Sequence, residues 1–75
     1  MGILFDFSEL KGRIVARYGS FSKFAGAVRM SRAQVSDRIN NKVRFQPDDI
    51  LLICSQDVLD IPAEEIGKYF FTPKV

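Results

Sequence analysis

Apolar residues recur along most of the chain at spacings of three and four, a pattern typical of helices that bury one side. The clearest stripe contains Phe21, Phe24, Ala25 and Val28, and Ser20 directly before it is a suitable N-cap. No stretch alternates apolar and polar residues as a half-buried strand does. The pattern therefore predicts an all-α fold.

Start and stop signals divide the chain into five short helices. Asp6 is placed to cap the first helix, which we expect to end near Gly19. Ser31 with Gln34 three residues later forms a capping box, which predicts a third helix over about residues 31–40. The two asparagines at its end tolerate the left-handed conformation that terminates a helix.

Two prolines indicate where the remaining helices begin. Pro47 fits the first turn of a fourth helix, and the two aspartates after it favour the positive end of the helix dipole. Pro62 starts a fifth helix, which ends near the aromatic run 69–71. Most apolar residues of this half are expected in the core that covers the first three helices: Ile50, Leu51, Ile53, Cys54, Val58, Ile61 and Ile66.

The length of 75 residues fits one domain over residues 1–75, and no apolar run approaches the roughly 18 residues of a membrane-spanning helix. The chain has one cysteine, Cys54, and no histidine, so we expect no disulfide, metal or cofactor and a reducing cytoplasm as compartment. No pair of nucleophile and base can be named. An enzyme with a small-molecule substrate is therefore not expected.

Charge is distributed unevenly along the chain. Residues 1–44 carry nine basic and three acidic side chains, whereas residues 45–75 carry two basic and six acidic ones. A basic front half and an acidic back half indicate that one face meets an anion, with a solvated charge asymmetry that has no partner as the alternative.

The residues of the second and third helices resemble the helix-turn-helix core of the Cro and phage-repressor family. Ala25 occupies the small position that lets the two helices approach, and Ser31 occupies the cap of the recognition helix. Arg29 is a departure, because relatives usually have glycine at that place in the turn. The resemblance rests on this order of residues: Phe24, Ala25, Val28, Met30, Ser31, Val35, Ser36, Ile39, Asn40 and Asn41.

The flanking residues 5–12 and 66–71 are similar to those of a group of small phage Cro-like proteins. The resemblance implies a lambda-repressor/Cro-like helix-turn-helix domain with five short helices. It also implies a regulator of the lytic and lysogenic switch that binds double-stranded operator DNA. Some relatives act instead as modulators of repression, which are antirepressors that bind the phage repressor protein.

The face of the third helix opposite its buried side is expected to enter the major groove. Arg32 suits a guanine or a phosphate, Ala33 a thymine methyl, and Gln34 an adenine, although Gln34 also fits the capping box. The residues predicted to face the bases are Arg32, Ala33, Gln34 and Ser36. Those predicted on the DNA backbone, where the family places such contacts, are Lys23, Asn41, Lys42 and Arg44.

Asp37 favours the antirepressor alternative, because DNA phosphates repel a carboxylate in the middle of this face unless it accepts a hydrogen bond from a cytosine amino group. A local salt bridge with Arg38 or Arg32 is a further alternative. A repressor protein, by contrast, offers a basic DNA-binding surface. The partner interface predicted for an antirepressor consists of Gln34, Asp37 and Arg38.

Three adjacent aromatic residues near the chain end cannot all point inward from one helical turn. Proteins of this fold usually bind two-fold symmetric operators as homodimers, because one domain contacts only one half-site. The predicted dimer surface consists of Tyr69, Phe70 and Phe71, with folding back onto the core as the alternative.

Overall fold

The computed structural model describes residues 3–74 and confirms the all-α prediction with five α-helices. A short 3₁₀ turn, Ala63–Glu65, leads into the last helix. Within residues 3–74 there is no β-strand and no helix long and apolar enough to cross a membrane. The helices are α1 (Ser8–Tyr18), α2 (Phe21–Ala27), α3 (Arg32–Ile39), α4 (Pro47–Cys54) and α5 (Ile66–Phe70).

Side chains bond backbone amides at the starts of α1 and α2, but the N-cap of α1 is Phe7 and not the predicted Asp6. The Ser20 hydroxyl accepts the Lys23 amide at 3.2 Å at the start of α2. The Asp6 carboxylate accepts the Ser8 amide at 2.9 Å, and its bonds to the hydroxyl and amide of Ser8 lower the pKa of Asp6. These bonds satisfy amide groups that have no partner inside the helix.

All five helices contribute to one hydrophobic core, which also contains residues from the segment between α4 and α5. The helices are 5 to 11 residues long, too short to be stable in water without this packing. Leu51 is an exception to the predicted core, because 66% of its surface is exposed. The most deeply buried side chains are Phe24, Phe70, Leu10, Ile14, Ile53, Leu59 and Val35.

The two ends of the chain lie side by side. The Asp6 amide donates to the Thr72 carbonyl at 2.8 Å, and the Lys74 amide donates to the Leu4 carbonyl at 2.9 Å. Phe5 lies between these two bonds in an isolated antiparallel bridge with Pro73. The terminal segments therefore hold each other through backbone bonds.

Arg29 adopts the left-handed conformation between α2 and α3, with φ of 58°. Its amide donates to Gly26 at 3.4 Å, and the Met30 amide donates to Ala25 at 3.0 Å. These two bonds form a Schellman motif, whose left-handed position is usually glycine. The equivalent residue after α1 is Gly19, with φ of 81°.

The Arg29→Gly variant is expected to be more stable than the natural chain by up to about 1 kcal/mol, because the β-carbon in this conformation costs energy. Urea unfolding measures the difference. Arg29→Ala is the matched control, since it removes the guanidinium but keeps the β-carbon. An equal gain in both variants would contradict a backbone origin of the effect.

Candidate recognition surface

The buried residues Val35 and Ile39 fix α3 against the core. Its opposite side is open, and Arg32 and Ala33 are exposed there. Arg32, Ala33 and Ser36 line a shallow cleft together with Phe21 of α2. The structure therefore brings together three of the four residues predicted to face the bases.

Gln34, the fourth, is engaged at the start of α3. Its side-chain oxygen accepts the Ser31 amide at 2.8 Å, while the Ser31 hydroxyl accepts the Gln34 amide at 3.0 Å. This is the predicted capping box. A bidentate contact with adenine uses the side-chain oxygen of Gln34, which already accepts the Ser31 amide in the cap. The geometry therefore favours the capping role of Gln34.

Arg38 does not lie free on the predicted partner interface. Its Nε lies 3.2 Å from a carboxylate oxygen of Asp49, and one terminal nitrogen donates to the Gln34 carbonyl at 3.0 Å. Only 15% of the Arg38 side chain is exposed. These bonds use the guanidinium to join α3 to α4, and the interface role of Arg38 stays a prediction.

Asn41, predicted as a DNA-backbone contact, is also engaged in the fold, and its contact with DNA stays a prediction. Its side-chain oxygen accepts the Phe5 amide, and its side-chain nitrogen donates to the Phe5 carbonyl, both at 3.0 Å. Asn41 also ends α3 in the left-handed conformation, with φ of 64°. We call this pair of bonds the Asn41 clasp. The clasp joins the end of α3 to the paired terminal segments.

The side chain of Asp37, unlike those of Arg38 and Asn41, is not engaged in the fold of the described residues. Its backbone carbonyl accepts the amides of Lys42 and Val43, at 2.8 and 3.2 Å. Its carboxylate forms no hydrogen bond or ion pair with any residue in the described range 3–74. The third helix therefore carries a half-exposed negative charge that no residue in the range 3–74 neutralises.

The other residues predicted on the DNA backbone, Lys23, Lys42 and Arg44, are all exposed. The Arg44 guanidinium carbon lies 5.2 Å from the centre of the Phe5 ring, close enough for a cation–π contact. Cationic side chains thus flank both ends of the α2–α3 pair.

The predicted dimer surface is reduced to one residue. Tyr69 and Phe70 are 6% and 2% exposed, so they belong to the core and cannot meet a partner. Phe71 is 51% exposed and packs edge-on against Phe5, with ring centres 5.7 Å apart. The expectation that the three aromatics do not all point inward is confirmed.

The sequence does not predict two structural roles, namely the Asn41 clasp and the ion pair by which Arg38 joins α3 to Asp49 of α4. The sequence identifies Asn41 as a residue suited to a helix end, but its partner Phe5 lies 36 residues away. Arg38 and Asp49 are separated by 11 residues and lie on different helices. No local spacing rule connects either pair.

Comparisons with known proteins concern nearly the whole chain. The family model described as "Protein of unknown function (DUF739)" matches residues 3–73. The chain is also similar to the solution structure of the modulator of repression of the temperate bacteriophage TP901-1 from Lactococcus lactis, with 37% identity and a TM-score of 0.77. That match covers 89% of this chain and 88% of the other. No curated protein matches the chain.

Replacing Asn41 by glycine is expected to lower the free energy of unfolding by about 1 to 2 kcal/mol, because glycine keeps the left-handed backbone but loses both clasp bonds. Urea unfolding tests this value. Asp60→Gly is the control, since Asp60 is exposed and has φ of 53°. Equal effects of the two variants would mean that the clasp contributes nothing.

Proposed function

The chain belongs to the DUF739 family, and we propose that it is an antirepressor, a phage regulatory protein that binds a repressor protein through the exposed side of α3. The similar structure is that of a phage modulator of repression, which supports a regulatory role in a phage. The proposal also treats α2 and α3 as a helix-turn-helix pair that has become a protein interface.

The observation that carries the proposal is the unpaired carboxylate of Asp37 on α3, which finds no partner within residues 3–74. A DNA phosphate repels this charge, because two negative charges about 4 Å apart near a surface cost several kcal/mol, roughly 4 at an effective dielectric of 20. A basic surface on a repressor attracts it. The sign of the charge therefore favours a protein partner over a nucleic acid.

The remaining composition of the surface also supports a protein partner. Arg32, Ala33, Ser36 and Phe21 supply one cation, one small apolar group, one hydroxyl and one half-buried aromatic ring around the same cleft. Mixed chemistry of this kind suits another protein, which has side chains of both charges and apolar groups. Gln34 and Arg38 are left out of the proposed interface because their polar groups are engaged in the fold. The Ser36 hydroxyl accepts a bond from the Asn40 side chain at 3.1 Å, but it keeps its own hydrogen for a partner.

Operator binding is the second candidate function. The exposed cations Lys23, Lys42 and Arg44 favour it, since each is suited to a phosphate contact. Binding to phosphates weakens as the salt concentration rises. The logarithm of the binding constant falls with the logarithm of the salt concentration, with a slope of about −0.9 for each phosphate neutralised. A protein interface with few ion pairs shows a shallower dependence.

The proposed activity is non-enzymatic. Burial raises the pKa of the Cys54 thiol, which disfavours the thiolate that a nucleophile requires. We place the action in the host cytoplasm, where a phage repressor meets its operator. Phe71 is the residue of the aromatic run that remains available to a second copy.

The Asp37→Asn variant is expected to bind the repressor at least tenfold more weakly, because the amide keeps the shape of the side chain and loses its charge. Isothermal titration with the purified repressor of the same phage genome measures the affinity. Asp57→Asn is the control, an exposed aspartate outside α3. The natural chain should also release the repressor from labelled operator DNA.

Operator binding predicts the opposite pattern. In that case the chain binds the operator without repressor, Asp37→Asn leaves or improves the affinity, and Lys42→Ala lowers it and flattens the salt dependence. This combination of results would overturn the antirepressor function.

A further inference from the structure

Four residues in the described range 3–74 have positive φ angles: Gly19, Arg29, Asn41 and Asp60. Glycine adopts this conformation without strain, and asparagine and aspartate tolerate it better than other side chains. Arg29 is the exception, since its long side chain brings no such tolerance. The chain thus keeps an unfavourable residue at the turn between α2 and α3.

The surrounding structure does not let Arg29 relax. Its amide and the next one are bonded to the last turn of α2, and Val28 on its other side is buried. The capping box at Ser31 then fixes the start of α3 two residues later. The left-handed conformation at Arg29 is therefore imposed by both helices.

No contact inside the described molecule compensates for this strain. Arg29 is exposed, and its side chain forms no hydrogen bond, ion pair or cation–π contact with residues 3–74. Arg17 and Arg32 likewise form no such contact within these residues. The other three arginines differ: Arg13 donates to the Leu59 carbonyl at 2.9 Å, Arg38 pairs with Asp49, and Arg44 lies over an aromatic ring. Glycine would adopt the same turn without strain, and side chains held in such unfavourable backbone conformations cluster at functional sites.

We propose that Arg29 is a partner-binding residue whose guanidinium binds a carboxylate of the protein partner, an inference that rests on the proposed function. The planar guanidinium forms two parallel hydrogen bonds with a carboxylate. Arg32 is also exposed, three residues further along, and both cations lie at the positive end of α3. This end of the surface attracts an anion.

A carboxylate fits the whole surface better than a DNA phosphate. Asp37 lies on the same helix as Arg32 and repels a continuous chain of phosphates. A protein, by contrast, can present an acidic residue to Arg29 and a basic residue to Asp37. The arrangement of opposite charges along one surface thus determines both the orientation and the class of partner.

The test compares Arg29→Gly, Arg29→Ala and Arg29→Lys in titrations with the purified repressor of the same phage genome. Both neutral variants should bind at least tenfold more weakly, and Arg29→Lys should bind with an affinity between theirs and that of the natural chain. Arg29→Gly should meanwhile unfold at a higher urea concentration, so that a loss of binding cannot arise from misfolding. Arg17→Ala, which removes an exposed arginine of α1, should bind like the natural chain.

The outcomes separate this inference from the proposed function. Unchanged repressor affinity in all three Arg29 variants would overturn the role of Arg29 and leave the antirepressor function standing. Failure of the natural chain to bind the repressor would contradict the proposed function, and the inferred carboxylate contact with it. If the Arg29 variants bind operator DNA more weakly but bind the repressor as the natural chain does, the guanidinium contacts a phosphate. That result would overturn the proposed carboxylate contact.

Discussion

A helix of fewer than about a dozen residues is marginal in water, and every helix within residues 3–74 is that short. The fold therefore depends on burying one side of each helix in a shared core and on satisfying each helix end with side chains. Three polar side chains hold α3 in place in this way, namely those of Gln34, Arg38 and Asn41. The need to hold short helices thus decides which polar side chains remain available for a partner.

What remains on α3 and the turn before it is a small surface of mixed charge. Arg29 and Arg32 lie at its beginning, Ala33 and Ser36 follow, and the carboxylate of Asp37 lies beyond them. A DNA-binding helix of this length is expected to present cations and hydrogen-bonding amides to the groove. Here the amide of one predicted base contact caps the helix, and that of one predicted backbone contact bonds the N-terminal segment. The Asp37 carboxylate adds a negative charge to the same surface, which favours a protein partner.

Local features of the fold follow directly from the sequence, because caps, left-handed helix ends and apolar stripes involve residues within a few positions of one another. The capping box at Ser31 and the stripe of α2 are examples. Long-range roles do not follow, since nothing in the sequence around Asn41 indicates that Phe5 will lie beside it. Leu51 shows the same limit, because four successive apolar residues in α4 do not reveal which of them face outward.

A titration of the isotope-labelled protein, followed through its backbone amide resonances, tests the central claim most directly. Unlabelled repressor is added in one series and an operator duplex in the other, at the same salt concentration. A protein interface predicts that the repressor shifts the amides of α3 and the α2–α3 turn, whereas the duplex leaves them unchanged. Shifts of the same amides by the duplex, with none from the repressor, would contradict the claim.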